Sequence, residues 1–197
     1  MNKLLTLTIA LAATVVSAAP AMATVFNIDG VANASLDGSN GVSTVLAAGT
    51  YNLNFTIGSY TAFSRFSSSS GCDALGGNCQ LGFENSVRYI IGPNTFLFGD
   101  GAATGGIGPV SGGAYYDTAA LSFANSGKYM TTFTLAAPTI VDFFLYDDNL
   151  SDNRNGVSLN VTAVPEPATW AMLLLGFAMV GFGMRNRRKP TVRLSYS

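Results

Sequence analysis

Histidine is absent from this chain of 197 residues, and charged residues of every kind are scarce. Without histidine, the chain lacks the commonest general base and the commonest metal ligand of proteins. Catalytic arrangements of the Ser-His-Asp and Cys-His kinds are therefore excluded. A glycosidase would need two opposed carboxylates, but Asp147 and Asp148 are neighbours and Glu84 has no identifiable partner in the sequence. We therefore expect no enzymatic activity.

The few charges are unevenly distributed. Asp, Glu, Lys and Arg make up 11% of the chain, against about 25% in an average soluble domain. Residues 24–163 contain ten acidic and four basic residues, whereas five of the six remaining bases follow residue 184. Because phosphate binding needs clustered lysine and arginine, the acidic middle argues against a nucleic-acid partner. The length suits one domain with targeting segments.

The amino terminus has the pattern of a secretory signal peptide. A short basic start at residues 1–3 precedes an apolar, alanine-rich stretch, and Ala21-Met22-Ala23 fits the small-x-small cleavage rule. Residues 1–23 are therefore predicted to be a cleaved signal peptide, with Thr24 as the mature amino terminus. An uncleaved amino-terminal anchor is the alternative.

The carboxyl terminus contains an uncharged apolar run at residues 168–184. As a helix this run would be about 25 Å long, near the shortest length that crosses a bilayer. Trp170 lies near one end, where an amphipathic ring favours the membrane interface. A basic cluster follows the other end: Arg185, Arg187, Arg188 and Lys189. Since positive residues stay cytoplasmic, the pattern predicts a transmembrane helix with a cytoplasmic tail at 190–197 and an exported domain before it.

Pro165-Glu166-Pro167 stands directly before the apolar run. Two prolines remove backbone donors and keep Glu166 extended, which suits recognition by a processing enzyme. A stiff linker before an ordinary anchor would have the same composition. The order of the parts is more specific, because Trp170 and Ala171, the apolar helix and the basic cluster all follow in turn. Residues 164–189 resemble the PEP-CTERM sorting signal, in its PEPxxWA form.

This resemblance implies a partner and a destination. In the PEP-CTERM family the helix holds the exported protein in the inner membrane, and an exosortase recognises the Pro-Glu-Pro region and processes it. The resemblance assigns recognition to Pro165, Glu166 and Pro167, and it associates the protein with exopolysaccharide at the cell surface. Residues 190–197 extend further past the basic cluster than such signals usually do.

The middle of the chain alternates apolar and polar residues with the period of two that is typical of strands. The clearest segments are residues 51–57, 129–135, 141–146 and 157–162, and weaker ones are 25–28, 42–46, 87–91, 95–98 and 119–124. No amphipathic helix is expected here. The pattern predicts an all-β domain over residues 24–163, a jelly-roll-like β-sandwich. The Gly/Ser-rich stretches 67–77 and 99–113 are either recognition loops or plain surface.

Cys72 and Cys79 are the only cysteines. In an exported domain the expectation is a disulfide between them. A zinc site is not expected, since two cysteines without histidine leave it half empty.

The densest polar cluster lies at residues 147–156, between two predicted strands. Calcium prefers several oxygen ligands from one flexible loop, and five side chains here carry them: Asp147, Asp148, Asp152, Asn153 and Asn155. The spacing differs from that of an EF-hand. The alternative is an Asp/Asn turn whose side chains bond to their own backbone. No cofactor is required by either interpretation.

The sequence thus predicts an exported, non-enzymatic surface protein that an exosortase processes. The alternative is a carbohydrate-binding module, in which Tyr60, Tyr115 and Tyr116 would stack on sugar rings. A hydrolase acting on polysaccharide is a third hypothesis, without support from a positioned acid–base pair.

Overall fold

The computed structural model describes residues 23–100, 115–165 and 167–185. Several predictions about the sequence fall outside these residues. The signal peptide before Ala23, Glu166, most of the Gly-rich stretch 99–113, the basic residues after Arg185 and the tail 190–197 are among them.

The described residues fold mostly as β-strands, which confirms the all-β prediction. The strands are β1 (Ala23–Asp29), β2 (Ala34–Ser35), β3 (Val42–Leu46), β4 (Gly49–Thr56), β5 (Phe63–Ser64), β6 (Ser86–Ile91), β7 (Asn94–Gly99), β8 (Met130–Leu135), β9 (Thr139–Tyr146) and β10 (Arg154–Val164). The helices are α1 (Ala119–Ser126) and α2 (Pro167–Arg185), with a 3-10 turn at Leu150–Asp152.

The strands pair as nested antiparallel partners. The outermost pair is β1 with β10, followed inward by β3 with β9, β4 with β8, and β6 with β7. Further pairing of β10 with β4 and of β9 with β6 assembles two five-stranded sheets. One has the order β1-β10-β4-β8, with β5 also pairing with β10, and the other has β9 between β6-β7 on one side and both β3 and the short parallel strand β2 as further partners. A ribbon wound into two sheets in this way has the form of a jelly roll.

The core lies between the two sheets. In β4, Tyr51, Leu53 and Phe55 are buried while the intervening residues are not, as the period of two requires. Aromatic rings join the sheets, with centroids 4.8 Å apart for Phe55 and Phe98 and 5.2 Å for Phe26 and Phe143. Such pairs stabilise a core beyond the area that they bury.

One predicted strand, at residues 119–124, is wrong because the chain forms α1 there. The backbone N–H of Leu121 donates to the Thr118 side chain at 3.2 Å, which caps the first turn. No β-branched residue lies within α1, so nothing in its composition resists a helix. The expectation that this region contains no helix failed because eight residues are too few to show a helical period.

The two ends of the sandwich domain meet at one pole. Ala23 at the start of β1 pairs with Thr162 near the end of β10, and Val164 pairs with Thr50 at the start of β4. Short connections from β3 to β4 and from β8 to β9 also cross between the sheets here. We call this end the terminal pole; it comprises residues 23–24, 45–50, 91–94, 135–140 and 163–165.

Helix α2 begins at Pro167, where proline fits because a first-turn N–H has no partner within the helix. Its large apolar side chains from Met172 to Met184 are exposed. A helix is thus confirmed where residues 168–184 predicted one. Within the part of the chain that the structure describes, no helix has both the length and the apolarity to cross a membrane, so the predicted transmembrane helix is not found.

Cys72 and Cys79 form the predicted disulfide. It closes a loop in which the Asp73 carboxylate accepts hydrogen bonds from the backbone N–H groups of Leu75 and Gly77, each at 2.9 Å. The Cys79 N–H donates to the Tyr115 carbonyl at 2.9 Å, so the loop is attached to the following segment.

Replacing both cysteines in C72A/C79A should lower the free energy of unfolding by about 2 kcal/mol, because the unfolded chain regains the freedom of a short loop. Urea unfolding of the oxidised protein and of the double variant measures the difference. Reductant should destabilise the native protein to the same extent and leave the double variant unchanged. Equal stability of the two oxidised proteins would contradict a stabilising role.

Candidate functional site

The segment from Ala163 to Pro167 joins the central strand of one sheet to an exposed apolar helix. β10 is hydrogen-bonded on both sides, to β1 and to β4, and its pairing continues as far as Val164 opposite Thr50. Pro165 follows immediately, and Pro167 already belongs to α2. The Pro-Glu-Pro segment is therefore the whole connection, and an enzyme acting on it works within a few residues of a paired strand.

The predicted signal-peptide cleavage point lies beside this connection. Ala23 is directly opposite Thr162, three residues before Pro165. Three extended residues span about 10 Å. Both ends of the exported domain are therefore at the terminal pole, since β1 and β10 are antiparallel neighbours.

A protein-family model described as the PEP-CTERM protein-sorting motif matches residues 163–189. The chain contains a PEP-CTERM sorting domain. The match confirms the resemblance stated from the residues, and because PEP-CTERM signals are recognised by exosortases, it supports an exosortase as partner. No curated protein and no solved structure matches the chain.

The PEP-CTERM segment overlaps the sandwich. Its match begins at Ala163, which pairs with Tyr51, and includes Val164, which pairs with Thr50. The first residues of the sorting domain are thus also the last residues of β10. The signal and the folded domain share a strand, and no separate linker lies between them.

Four of the five predicted calcium ligands precede β10, and the fifth, Asn155, lies within it. The Asp147 carboxylate accepts from the backbone N–H of Asp148 at 2.9 Å, and the Asn153 amide donates to the Gly30 carbonyl at 2.7 Å. Asp148 and Asn155 are exposed, and Asn155 has a left-handed backbone with φ of 58°. Side chains that bond to backbone in this way are typical of an Asp/Asn turn.

No group of three or more Cys, Asp or Glu side chains is placed to hold a metal ion among residues 23–100, 115–165 and 167–185. Asp152 belongs to the 3-10 turn at Leu150–Asp152 and does not change this. Calcium binding at residues 147–155 therefore stays a prediction without a ligand cluster in the described residues.

Glu84 has a partner that the sequence did not reveal. The Glu84 side chain is fully buried, and its Oε1 accepts from Arg65 Nε at 3.1 Å and from Arg65 Nη2 at 2.8 Å. A backbone bridge between Phe63 and Glu84 brings the two segments together. Arg65 and Glu84 are 19 positions apart in the chain. The backbone bridge therefore brings their side chains within bonding distance. A fully buried Glu needs such a partner, because burial of an unpaired charge is costly.

A second buried acid, Asp100, belongs to a hydrogen-bond network. Its carboxylate accepts from the Asn85 backbone N–H at 3.0 Å and from the Tyr129 hydroxyl. The Ser122 hydroxyl donates to the Asn85 side-chain oxygen at 2.7 Å, which ties α1 to the same network. At Gly99, φ is 104° and a Cβ would lie 2.0 Å from the Asn85 carbonyl, so only glycine permits this approach.

Burial controls the electrostatics of both acids. It raises the pKa of Glu84 to about 7, against the opposing effect of Arg65, while the nearby charges of Asp100 and Asp147 raise it further. Burial likewise raises the pKa of Asp100, although the hydrogen bonds from Tyr129 and Asn85 lower it. The exposed fractions of Glu84 and Asp100 are 0% and 1%, so neither carboxyl is open to a substrate.

Two of the three aromatic residues proposed for sugar stacking are buried, and the third, Tyr60, is half-buried. Tyr115 and Tyr116 are buried, and the Tyr60 hydroxyl donates to the Asp29 carboxylate at 2.5 Å. Stacking on a sugar needs an exposed ring face, so the prediction is wrong for Tyr115 and Tyr116. Tyr115 instead packs edge-on against Phe66, with centroids 5.4 Å apart.

The domain should lose stability as the pH rises from about 4.5 to about 7, because Glu84 titrates near 4.5 when unfolded and near 7 when folded. In this window the folded state binds more protons than the unfolded state, so the free energy of unfolding falls with rising pH. Asp100 acts in the same direction. Urea unfolding of the protein across this range measures the slope.

Glu84→Gln should flatten that slope, and it should lower stability above about pH 7, where Glu84 is ionised and Arg65 loses its counter-charge. The matched control is Asp148→Asn, which removes an exposed carboxylate and should keep the native slope. An unchanged slope in Glu84→Gln would show that the pKa of Glu84 is not the cause.

Proposed function

We propose that this PEP-CTERM protein is an exported, non-enzymatic surface protein whose sandwich is delivered through processing at residues 164–167. In this proposal α2 retains the exported chain in the inner membrane, and an exosortase recognises Pro165, Glu166 and Pro167. The observation that carries it is the direct connection from β10 through the sorting motif to α2. Processing beyond Val164 would separate the folded domain from the apolar helix without cutting into the β10 ladder.

The surface of α2 supports membrane retention. Apolar side chains are exposed along the helix from Met172 to Met184, including Leu174 at 67% and Phe182 at 69%. A helix that is apolar on all sides is stable when it is surrounded by protein or lipid. Basic residues from Arg185 to Lys189 follow it, and these favour the cytoplasmic side of a membrane. The domain before α2 then lies outside, as a signal peptide at residues 1–23 requires.

The proposed absence of enzymatic activity is supported by the burial and hydrogen bonding of the carboxyl groups of Glu84 and Asp100. Glu84 is paired with Arg65, and Asp100 is held by Tyr129 and Asn85. A general acid or base must reach the atom whose proton it transfers, and a fully buried carboxyl without access does not. The absence of histidine from the sequence agrees with this interpretation.

The destination is a further part of the proposal. Association with exopolysaccharide at the cell surface is what the PEP-CTERM resemblance implies. No observation in the described residues favours the alternative of a carbohydrate-binding module, because Tyr115 and Tyr116 are buried. The proposal therefore concerns delivery of the sandwich domain to the cell surface, and it assigns no ligand to that domain.

Replacing both motif prolines, in P165A/P167A, should abolish processing because the connection loses the rigid form that the exosortase recognises. The intact mass of the protein from its native host measures this. The native protein should lack the signal peptide and the helix after the motif, whereas the variant should retain the helix and accumulate in the inner membrane.

The matched control is P93A/P138A, which replaces two exposed prolines of the terminal pole outside the motif and should be processed normally. Recovery of a native protein that keeps α2 and its basic tail would contradict the proposal. The Pro-Glu-Pro segment would then be only a linker to an anchor.

A further inference from the structure

The terminal pole differs from the rest of the domain in charge. None of its residues, within the described chain, is Asp, Glu, Lys or Arg. Its connections consist of small and apolar residues: Ala47, Ala48, Gly92, Pro93, Ala136, Ala137 and Pro138, all of them exposed. Along β9, the first charge after the pole is Asp142, whose carboxylate accepts a hydrogen bond from Ser43.

The charged residues cluster toward the opposite end of the sandwich. Asp29 ends β1, Arg154 begins β10, and Lys128 precedes β8. The acids of the turn at residues 147–152 and the Arg65–Glu84 pair lie on connections at the same end. The domain is therefore polarised along its strands, with charge at one end and both chain termini at the other.

Exposed apolar side chains are present at the terminal pole, as they are at the opposite end, where Ile57 and Met130 are exposed. Val45 and Ile140 are directly paired across β3 and β9, with exposed fractions of 67% and 57%. Val164, the last residue of β10, is 36% exposed. Burial of these side chains against an apolar phase would be favourable.

We propose that the terminal pole lies against the lipid bilayer surface while the chain is held by α2. This proposal rests on the proposed function, since it needs α2 to be embedded. The continuity of the chain identifies the occupant, because Val164 at the pole is three residues from Pro167 at the start of α2. A helix inserted from that point holds the terminal pole within about 10 Å of the membrane.

The absence of charge makes this contact favourable. A charged group at the bilayer interface loses water and is costly to place there unless it is paired. The described residues of the terminal pole have no charged side chain to desolvate, and the predicted mature amino terminus at Thr24 adds one positive charge, whereas the opposite end would bring several acids to the surface. With the amino group of Thr24 as the single basic group expected at the pole, anionic lipid adds little, so the contact depends mainly on apolar burial. It should persist in neutral phosphatidylcholine and at raised ionic strength.

The test uses tryptophan fluorescence of the full chain in phosphatidylcholine vesicles, with bromine on the lipid chains as the quencher. Trp170 is the only tryptophan, so in the native sequence it reports whether α2 is embedded. In a Trp170→Phe background, Ile140→Trp places a single reporter at the terminal pole. Ile57→Trp is the matched control, an isoleucine of 68% exposure at the far end of β4.

Ile57 lies about 24 Å along the strands from Thr50, so it should be beyond the quencher. We expect brominated lipid to reduce the fluorescence of Trp170 and of Ile140→Trp and to leave Ile57→Trp unchanged, at low and high salt alike. Quenching of Trp170 without quenching of Ile140→Trp would overturn the docking and leave the proposed function intact. Equal quenching of both reporters would also overturn it, because the domain would then lie on its side. An unquenched Trp170 would instead contradict membrane retention itself.

Discussion

The pairing of β10 with β1 and β4 is the constraint on which the rest of this structure depends. β10 is the outermost strand of the nested ribbon and a central strand of its sheet, so its two ladders are long and continue to Val164. Because β1 is antiparallel to it, the first residues of the exported domain lie beside its last residues. The sorting motif, the predicted signal cleavage point and the start of α2 are therefore gathered at one end.

This arrangement has a physical consequence for export. In a domain with both ends at one pole, attachment of either end to a membrane would leave the opposite end of the sandwich free. Its first and last strands complete the same sheet, so the sandwich is finished only when both termini have been brought together. The short connection at Pro165 then leaves little free chain between the paired strand and the helix.

The buried charged groups of the domain lie at the opposite end. Glu84 and Arg65 are buried together, and Asp100 is satisfied by Tyr129 and Asn85. Such groups are expensive to bury without partners, and paired they fix how the connections between strands pack. Because the charged side chains lie on the strand connections at that end, the connections at the terminal pole are left without charged side chains.

The sequence by itself determined eight of the ten strands, the disulfide and the sorting segment, because each rests on neighbouring residues: alternation along a strand, two cysteines in one loop, and an ordered motif at residues 164–189. It did not show the two-residue strands β2 and β5, which are too short to alternate. It missed α1, whose eight residues show no period, and it left Glu84 without Arg65. Only the tertiary structure decided the ion pair, the burial of Tyr115 and Tyr116 and the meeting of both ends at one pole. These depend on segments far apart in the chain, whose distances are set by strand pairing and not by local pattern.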